Sequence, residues 1–366
     1  MAKVDERHGQ PIESADTPAL LLDLDAAEAN LAKMASFFAD RPCKLRPHFK
    51  SHKSTALARR QVASGAIGIT CAKLGEAEVL ADAGIEDILI ANQIVGPVKM
   101  RRLVEVARRC TLRVAVDSDV NVRELSKGAT AGGVEIGLLI EVDVGMHRCG
   151  VAPGEPALEL ARLIEASPGV RFDGIQAYEG HLVIRPDRDE REKLTRRDMQ
   201  LAIDTRRLIE RAGIEVRILS AGGTGTYDVT GTMDGVDELQ AGSYALMDCC
   251  YVTIRPEFRN AMTVLATVIS KPAIDRIVLD VGLKGLGGEF GPPTLVDRPG
   301  DEIPYLASEE HVGAQLCGGH PVEIGDKLRL IPSHGCTTCN LYRQYIVHRA
   351  GVIEDVWPID GSGALT

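Results

Sequence analysis

Two lysines and two histidines fall within RPHFKSHK (46–53), just after Leu45. A second cluster, PSHGCTTCN (332–340), places His334 and Cys336 two positions apart and contains the C-x-x-C pair Cys336/Cys339. A third, SAGGTGTYD (220–228), carries three glycines. A desolvated lysine beside other cations loses proton affinity, which imine formation and proton abstraction both need. Histidine and cysteine on alternate residues of a strand face one side and can share a metal ion. Backbone free of side chains lets N–H groups approach phosphate oxygens.

These residues need elements to hold them. A chain of 366 residues, 45% hydrophobic and 4% aromatic, buries more than one ordinary core, which predicts a large domain and a smaller one. Eight strand-like runs alternate with helical spacing: 44–50, 66–71, 87–91, 112–117, 137–143, 172–179, 216–223 and 238–243. Helical apolar spacing occupies 105–110, 155–166 and 199–213, and the pattern predicts a (β/α)8 TIM barrel of the α/β class. After about residue 260 β-branched runs with Gly/Pro turns take over, at 262–270, 276–282, 326–333, 343–349 and 352–359, with no competing helical pattern. That predicts a barrel over 25–258 and an antiparallel β-domain from 1–24 and 259–366; TPALLLDL (17–24) could join the β-domain or begin the barrel.

Net charge is −10 and no block of five or six like charges occurs, which argues against nucleic-acid binding and polybasic membrane docking. No apolar run reaches the ~18 residues that span a bilayer, and MAKVDERHGQ has no signal-peptide core. Nine cysteines at irregular spacing suit reduced thiols, so a cytoplasmic protein is expected.

Barrel chemistry sits at the C-terminal ends of the strands. Strand one delivers His48, Lys50 and His52; strand two Cys71 and Lys73; strand three Asn92 and Gln93; strand four Asp117. Strand five delivers Asp143 and Arg148, and strand six Gln176, Tyr178 and His181. Strands seven and eight end in glycine-rich loops, where barrels commonly hold a phosphate. A phosphate pocket facing a lysine on strand one points to pyridoxal phosphate carried as a Schiff base.

TPALLLDLDAAEANL, RPHFKSHK, EVDVGMHRCGV, LSAGGTGT, ELQAGSYALMD and PSHGCTTCNLY together resemble the fold-type III pyridoxal-phosphate enzymes, specifically the family of D-threonine aldolase, D-serine dehydratase and 3-hydroxy-D-aspartate lyase. The resemblance runs from about Thr17 to Trp357. It implies an alanine-racemase-like barrel with a β-domain and a homodimer with its active site near the interface. The substrate it implies is a small D-3-hydroxy amino acid.

The resemblance makes Lys50 the Schiff-base lysine with His48 lining the cofactor; Lys53 is the competing choice. If the strand runs on to residue 50, alternation places His48 and Lys50 on one face. Arg148 would contact the cofactor ring, against a surface salt bridge as the plain reading. Gln176 and Tyr178 would lie under the ring, although a tyrosine at a strand end is often plain packing. Thr224, Gly225, Thr226, Gly242, Ser243 and Tyr244 would hold the phosphate.

The resemblance implies a divalent metal at His334 and Cys336, the family being expected to carry His-x-Asp in aldolases and His-x-Cys in dehydratases. A thiolate favours zinc, while manganese or magnesium remains open if the other ligands are oxygens. The competing readings of PSHGCTTCN are ordinary packing, redox C-x-x-C chemistry and structural zinc. Redox C-x-x-C chemistry wants a helix start after a strand in a small α/β domain, which a β-rich context lacks, and structural zinc wants four protein ligands.

Two lyase reactions follow. Lys50 could remove the α-proton while the β-hydroxide leaves, or a base could take the β-hydroxyl proton and the Cα–Cβ bond break. His-x-Cys, and the absence near Ile184 of a second histidine that aldolases of this family carry, favour dehydration. His181 is the substitute base if the reaction is retro-aldol. A racemase would need a second base, with Tyr305 and Tyr342 as candidates; a non-catalytic cofactor carrier is the remaining reading. Arg101, Arg102, Arg185 and Arg188 read as solvated charge.

Overall fold

The structure is a computed structural model that describes residues 6–318 and 321–366. It separates into two compact units: Met34–Lys50 with Leu57–Gly242 and Gly363–Thr366, and Met1–Lys33 with Ser51–Ala56 and Ser243–Ser362.

In the first unit, strands buried on both faces read as continuous apolar runs, as parallel sheets require. Ile136–Glu141 is buried along its whole length, and Val170–Ala177 nearly so. Eight parallel strands follow in chain order: Lys44–Leu45, Ile69–Cys71, Asp87–Ile90, Thr111–Val116, Ile136–Glu141, Val170–Ala177, Ile218–Ala221 and Glu238–Leu239. The last pairs with the first, Lys44 opposite Glu238. The ring closes where Ile67 N donates to Leu45 O at 3.0 Å, Thr70 N donates to Pro47 O at 2.9 Å and His48 bridges Thr70.

Helices cover the strands. In Glu155–Glu165 the stripe Ala157, Leu158, Ala161 and Ile164 turns inward. Asp119–Gly132 is capped by Ser118, whose hydroxyl accepts Asn121 N, and ends at left-handed Gly133. The helix expected over 199–213 starts eleven residues earlier, as Arg188–Arg211, because Asp187 caps it by accepting Glu190 N at 2.7 Å. Inside the ring a chain of ion pairs links strands distant in sequence. Arg46 binds Glu238 and Asp87, and Arg113 joins Asp87 to Asp173.

The other unit is built on a mostly antiparallel sheet in the order Thr294–Leu295, Lys327–Ile331, Met262–Ala273, Ala19–Asp23, Gln344–Arg349, Val352–Pro358, with Arg276–Leu279 and Val312–Gln315 branching from it. TPALLLDL joins this sheet: Ala19 faces Leu265 in an antiparallel pair, and Leu21 faces Ile346 in the sheet's parallel pair. Ile12, Leu21, Leu265, Ile346 and Ile353 form a core beneath it.

Two local expectations fail. The first barrel strand stops at Leu45 and does not reach residue 50; after the single bridge at His48 the chain turns into a 3-10 helix, Phe49–Ser51. In the β-region a helix does form, Gly335–Leu341, beginning just after the strand that ends at Ile331.

Candidate active site

The short turn Phe49–Ser51 places Lys50 where strand alternation would not. Its backbone N–H donates to His48 Nδ1 at 3.4 Å, and His48 N donates to Ala241 O at 3.0 Å. The Lys50 ammonium lies 6.0 Å from the centre of the Tyr178 ring, and the Arg148 guanidinium 5.5 Å from the same ring. Residues from strands one, five and six therefore meet around one aromatic ring.

A polar chain continues from Arg148. Its guanidinium reaches Glu141 Oε1 at 3.5 Å, and Gln176 Nε2 donates to Glu141 Oε2 at 2.8 Å. Gln240 Nε2 donates to Gln176 Oε1 at 3.0 Å and to Ser220 Oγ at 2.9 Å. Burial pushes the Glu141 carboxyl up against the opposing pull of Arg148, Cys149 and Gln176. Glu141 and Gln240 are members that sequence reasoning missed, because on their own strands they look like ordinary polar interruptions.

The glycine-rich turn holds Thr224, Gly225 and Thr226 as a buried 3-10 turn. A Cβ on Gly225 would lie 1.6 Å from Val183 O, and one on Gly223 3.3 Å from the Tyr178 ring. Glycine is thus required for the loop to pass this close to its neighbours. Beneath it, Glu179 Oε1 accepts hydroxyls from Thr226 at 2.7 Å and Thr230 at 2.5 Å, while Oε2 is buried without a hydrogen bond. Burial pushes the Glu179 carboxyl up, opposed by the two threonine hydrogen bonds.

Near Tyr178, His181 Nε2 sits 3.0 Å from Asp198 Oδ2, and Arg197 holds Oδ1 at 2.6 Å. A Cβ on Gly145 would stand 3.3 Å from the His181 ring, so the fifth-strand loop packs closely against the imidazole. Asp198 comes from the helix Arg188–Arg211, 17 residues after His181, and no local motif marks it.

Lys53 is placed differently. It has a left-handed backbone, φ 53°, and donates from Nζ to Gly361 O at 3.3 Å. Gly242 follows the eighth strand, while Ser243 and Tyr244 open a 3-10 turn of the other unit, in which Tyr244 is buried against Phe258. Of the arginines, Arg102 pairs with Glu78, Arg185 with Glu190 and Arg188 with Asp228.

In the β-unit, His334 and Cys336 are not alternate residues of a strand. His334 occupies the N-cap position of the helix Gly335–Leu341 without a side-chain capping bond, and Cys336 is the helix's second residue. His334 Nδ1 lies 2.9 Å from Asp248 Oδ2, which leaves Nε2 for another partner. Burial lowers the imidazole, but hydrogen bonds with Asp248 and Cys336 outweigh it and push it up to about 10. Cys336 Sγ also contacts Ser51 Oγ at 3.6 Å. No cluster of three or more His, Cys, Asp or Glu suited to an ion occurs among the described residues. An adjacent imidazole and thiol fit an ion whose other ligands are water or substrate oxygens, and Asp248 supplies the carboxylate that metal-binding histidines usually require.

The racemase candidates offer little. Tyr305 is exposed, and the Tyr342 hydroxyl is buried without a partner, pushed up by burial and then by Asp280. No helix among the described residues is long and apolar enough to cross a membrane.

The family of the alanine racemase N-terminal domain matches residues 22–249, and a serine dehydratase domain family matches 261–348. D-threonine aldolase of an Arthrobacter species is 40% identical over 97% of this chain and 95% of its own. 3-Hydroxy-D-aspartate aldolase of Paracoccus denitrificans is 35% identical over 95% and 92%. D-threo-3-hydroxyaspartate dehydratase of a Delftia species is 30% identical over 93% and 96%. Among solved structures, D-threonine aldolase from Filomicrobium marinum superposes with a TM-score of 0.95 at 38% identity, covering 98% of this chain and 99% of its own. The Delftia dehydratase, at 27% identity, gives 0.86 over 95% and 98%; its solved forms include a metal-free cysteine-to-alanine variant and a histidine-to-alanine variant two positions earlier. With Lys50 and Arg148 gathered on Tyr178 in a closed eight-stranded ring, and these relatives matched over more than nine-tenths of each chain, the chain belongs to the fold-type III pyridoxal-phosphate-dependent lyases that act on D-3-hydroxy amino acids.

Proposed function

We propose that this lyase cleaves D-3-hydroxy-α-amino acids by retro-aldol reaction to glycine and an aldehyde. The observation that carries this is the His181–Asp198 pair at the barrel mouth, a base whose ring is already oriented by a buried carboxylate. The greater similarity of the two aldolases supports the same order of preference.

Lys50 would hold pyridoxal phosphate covalently, with Thr224, Gly225, Thr226 and Gly242 at its phosphate and His48, Arg148, Gln176 and Tyr178 around its ring. Bound there, the cofactor supplies an electron sink for negative charge at Cα. His334 and Cys336 would hold a divalent ion, zinc by donor softness, that supplies Lewis-acid chemistry. His181 Nε2 is engaged by Asp198, so Nδ1 receives the β-hydroxyl proton and Asp198 stabilises the imidazolium. Lys50 Nζ then returns a proton to Cα. Gly225 lets this turn lie tight against Val183.

Dehydration to a keto acid and ammonia is the second reading. It rests on the His334/Cys336 spacing, which matches the spacing of the two substituted residues in the Delftia dehydratase. Incubating the protein with pyridoxal phosphate, zinc or manganese, and D-threonine, D-serine or D-threo-3-hydroxyaspartate separates the two. Glycine supports cleavage; ammonia with keto acid and no glycine replaces it with elimination. A homodimer is also proposed, with sedimentation velocity as the check.

A further inference from the structure

The C-x-x-C of PSHGCTTCN sits at the start of a helix that follows a strand, the context that the sequence pattern of this region does not anticipate. Cys336 is half-buried at the second helical position, and Cys339, one turn later, is fully buried. Helix geometry sets residues three apart at about 5 Å between Cα atoms, inside the range of about 4.4–6.8 Å that a disulfide spans. Both sulfurs converge on one residue: Cys336 Sγ lies 3.6 Å from Ser51 Oγ, and Cys339 Sγ 3.3 Å from Ser51 O. Tyr345 donates to Cys339 Sγ at 2.9 Å and fixes it on that side.

We propose that Cys336 and Cys339 form a reversible oxidative modification site, closing to an intrahelical disulfide when the protein meets a peroxide. The accessible Cys336 sulfur, as thiolate, attacks one peroxide oxygen; its S–O bond forms, the O–O bond breaks and hydroxide leaves. The Cys339 sulfur then displaces that oxygen. An S–S bond forms, the S–O bond breaks, and the oxygen departs as water with the Cys339 proton. Two sulfurs lose two electrons in total and the peroxide gains them. Cys339 is fully buried, its sulfur held between Ser51 O and the Tyr345 hydroxyl, so peroxide reaches Cys336 first and Cys339 is the resolving member. The link removes Cys336 as a metal donor; that consequence, unlike the link itself, rests on the metal reading proposed above.

The full-length holoprotein is treated with stoichiometric hydrogen peroxide, its remaining thiols are alkylated, and it is digested with trypsin without reduction. Both cysteines lie in one tryptic peptide, residues 330–343. The expected product is that peptide two hydrogens lighter with neither cysteine alkylated, restored by dithiothreitol. Both the Cys339→Ser and Cys339→Ala variants should retain lyase activity and carry Cys336 on to sulfinic acid, irreversibly. Alkylation of both cysteines after peroxide, sulfinic acid at Cys336 of the parent, or a link from Cys336 to Cys249 would overturn the proposal. Metal content is measured separately, on the protein before peroxide is added. A link formed by protein that held no metal beforehand keeps this site and sinks the metal reading, whereas metal bound beforehand with no link after peroxide does the reverse.

Discussion

Asp248 Oδ2 lies 2.9 Å from His334 Nδ1 and 2.9 Å from Gly335 N, while its Oδ1 accepts Tyr251 N at 2.8 Å. One buried carboxylate thus caps the helix Cys249–Ile254 and fixes the orientation of the imidazole. Asp248→Asn keeps an oxygen for the cap but loses the charge that secures the histidine tautomer. It should weaken zinc or manganese affinity by about 10–100-fold, read by chelator competition, and leave cofactor absorbance unchanged. An unaltered affinity would remove His334 from the ligand set.

The two lysines of RPHFKSHK are separable by colour. Lys50→Ala should lose the visible absorption of bound pyridoxal phosphate, and Lys53→Ala should keep it, since Lys53 is committed to Gly361 O. The converse spectra would transfer the cofactor to Lys53.

Removing the proposed base tests the retro-aldol reading. His181→Ala should lower glycine release by about 100- to 10,000-fold with little change in the cofactor spectrum. Asp198→Asn should fall between that variant and the parent. Undiminished glycine release from His181→Ala would place the base elsewhere.

Glu179 gives a prediction with a pH sign. Its carboxyl is raised in the folded state, first by burial, so the folded protein holds that proton to higher pH than the unfolded chain does. Stability from this group is therefore fully present below the unfolded pKa and is lost as pH rises through the folded one. Glu179→Gln keeps an acceptor for Thr226 and Thr230 and never ionises. Denaturant midpoints should show the variant gaining on the parent from acid to neutral pH; a variant that loses ground to the parent as pH rises contradicts the assignment.

Within the barrel, Arg46 is 2% exposed and its partner Glu238 4%. Glu238→Ala strands a buried guanidinium, with Asp87 as its remaining partner. The expected loss is about 3–5 kcal/mol by denaturant unfolding. A loss below about 1 kcal/mol would mean that Asp87 alone compensates the charge.

The amino-acid sequence by itself determined the eight-strand alternation, the change of texture after about residue 260, and the motif segments around Lys50, Arg148, Tyr178 and the glycine turn. Those features repeat with the period of the element that carries them, or sit at its end, so local spacing suffices to find them. Tertiary structure decided the rest. Glu141, Asp198, Gln240 and Asp248 become part of a site through partners 17 to 86 residues away, a separation no local pattern encodes. It also decided backbone shape at the two most informative motifs. Strand alternation was expected to orient both, yet Lys50 lies on a 3-10 turn and His334 and Cys336 on a helix start, because backbone hydrogen bonding and packing outweigh local preference there.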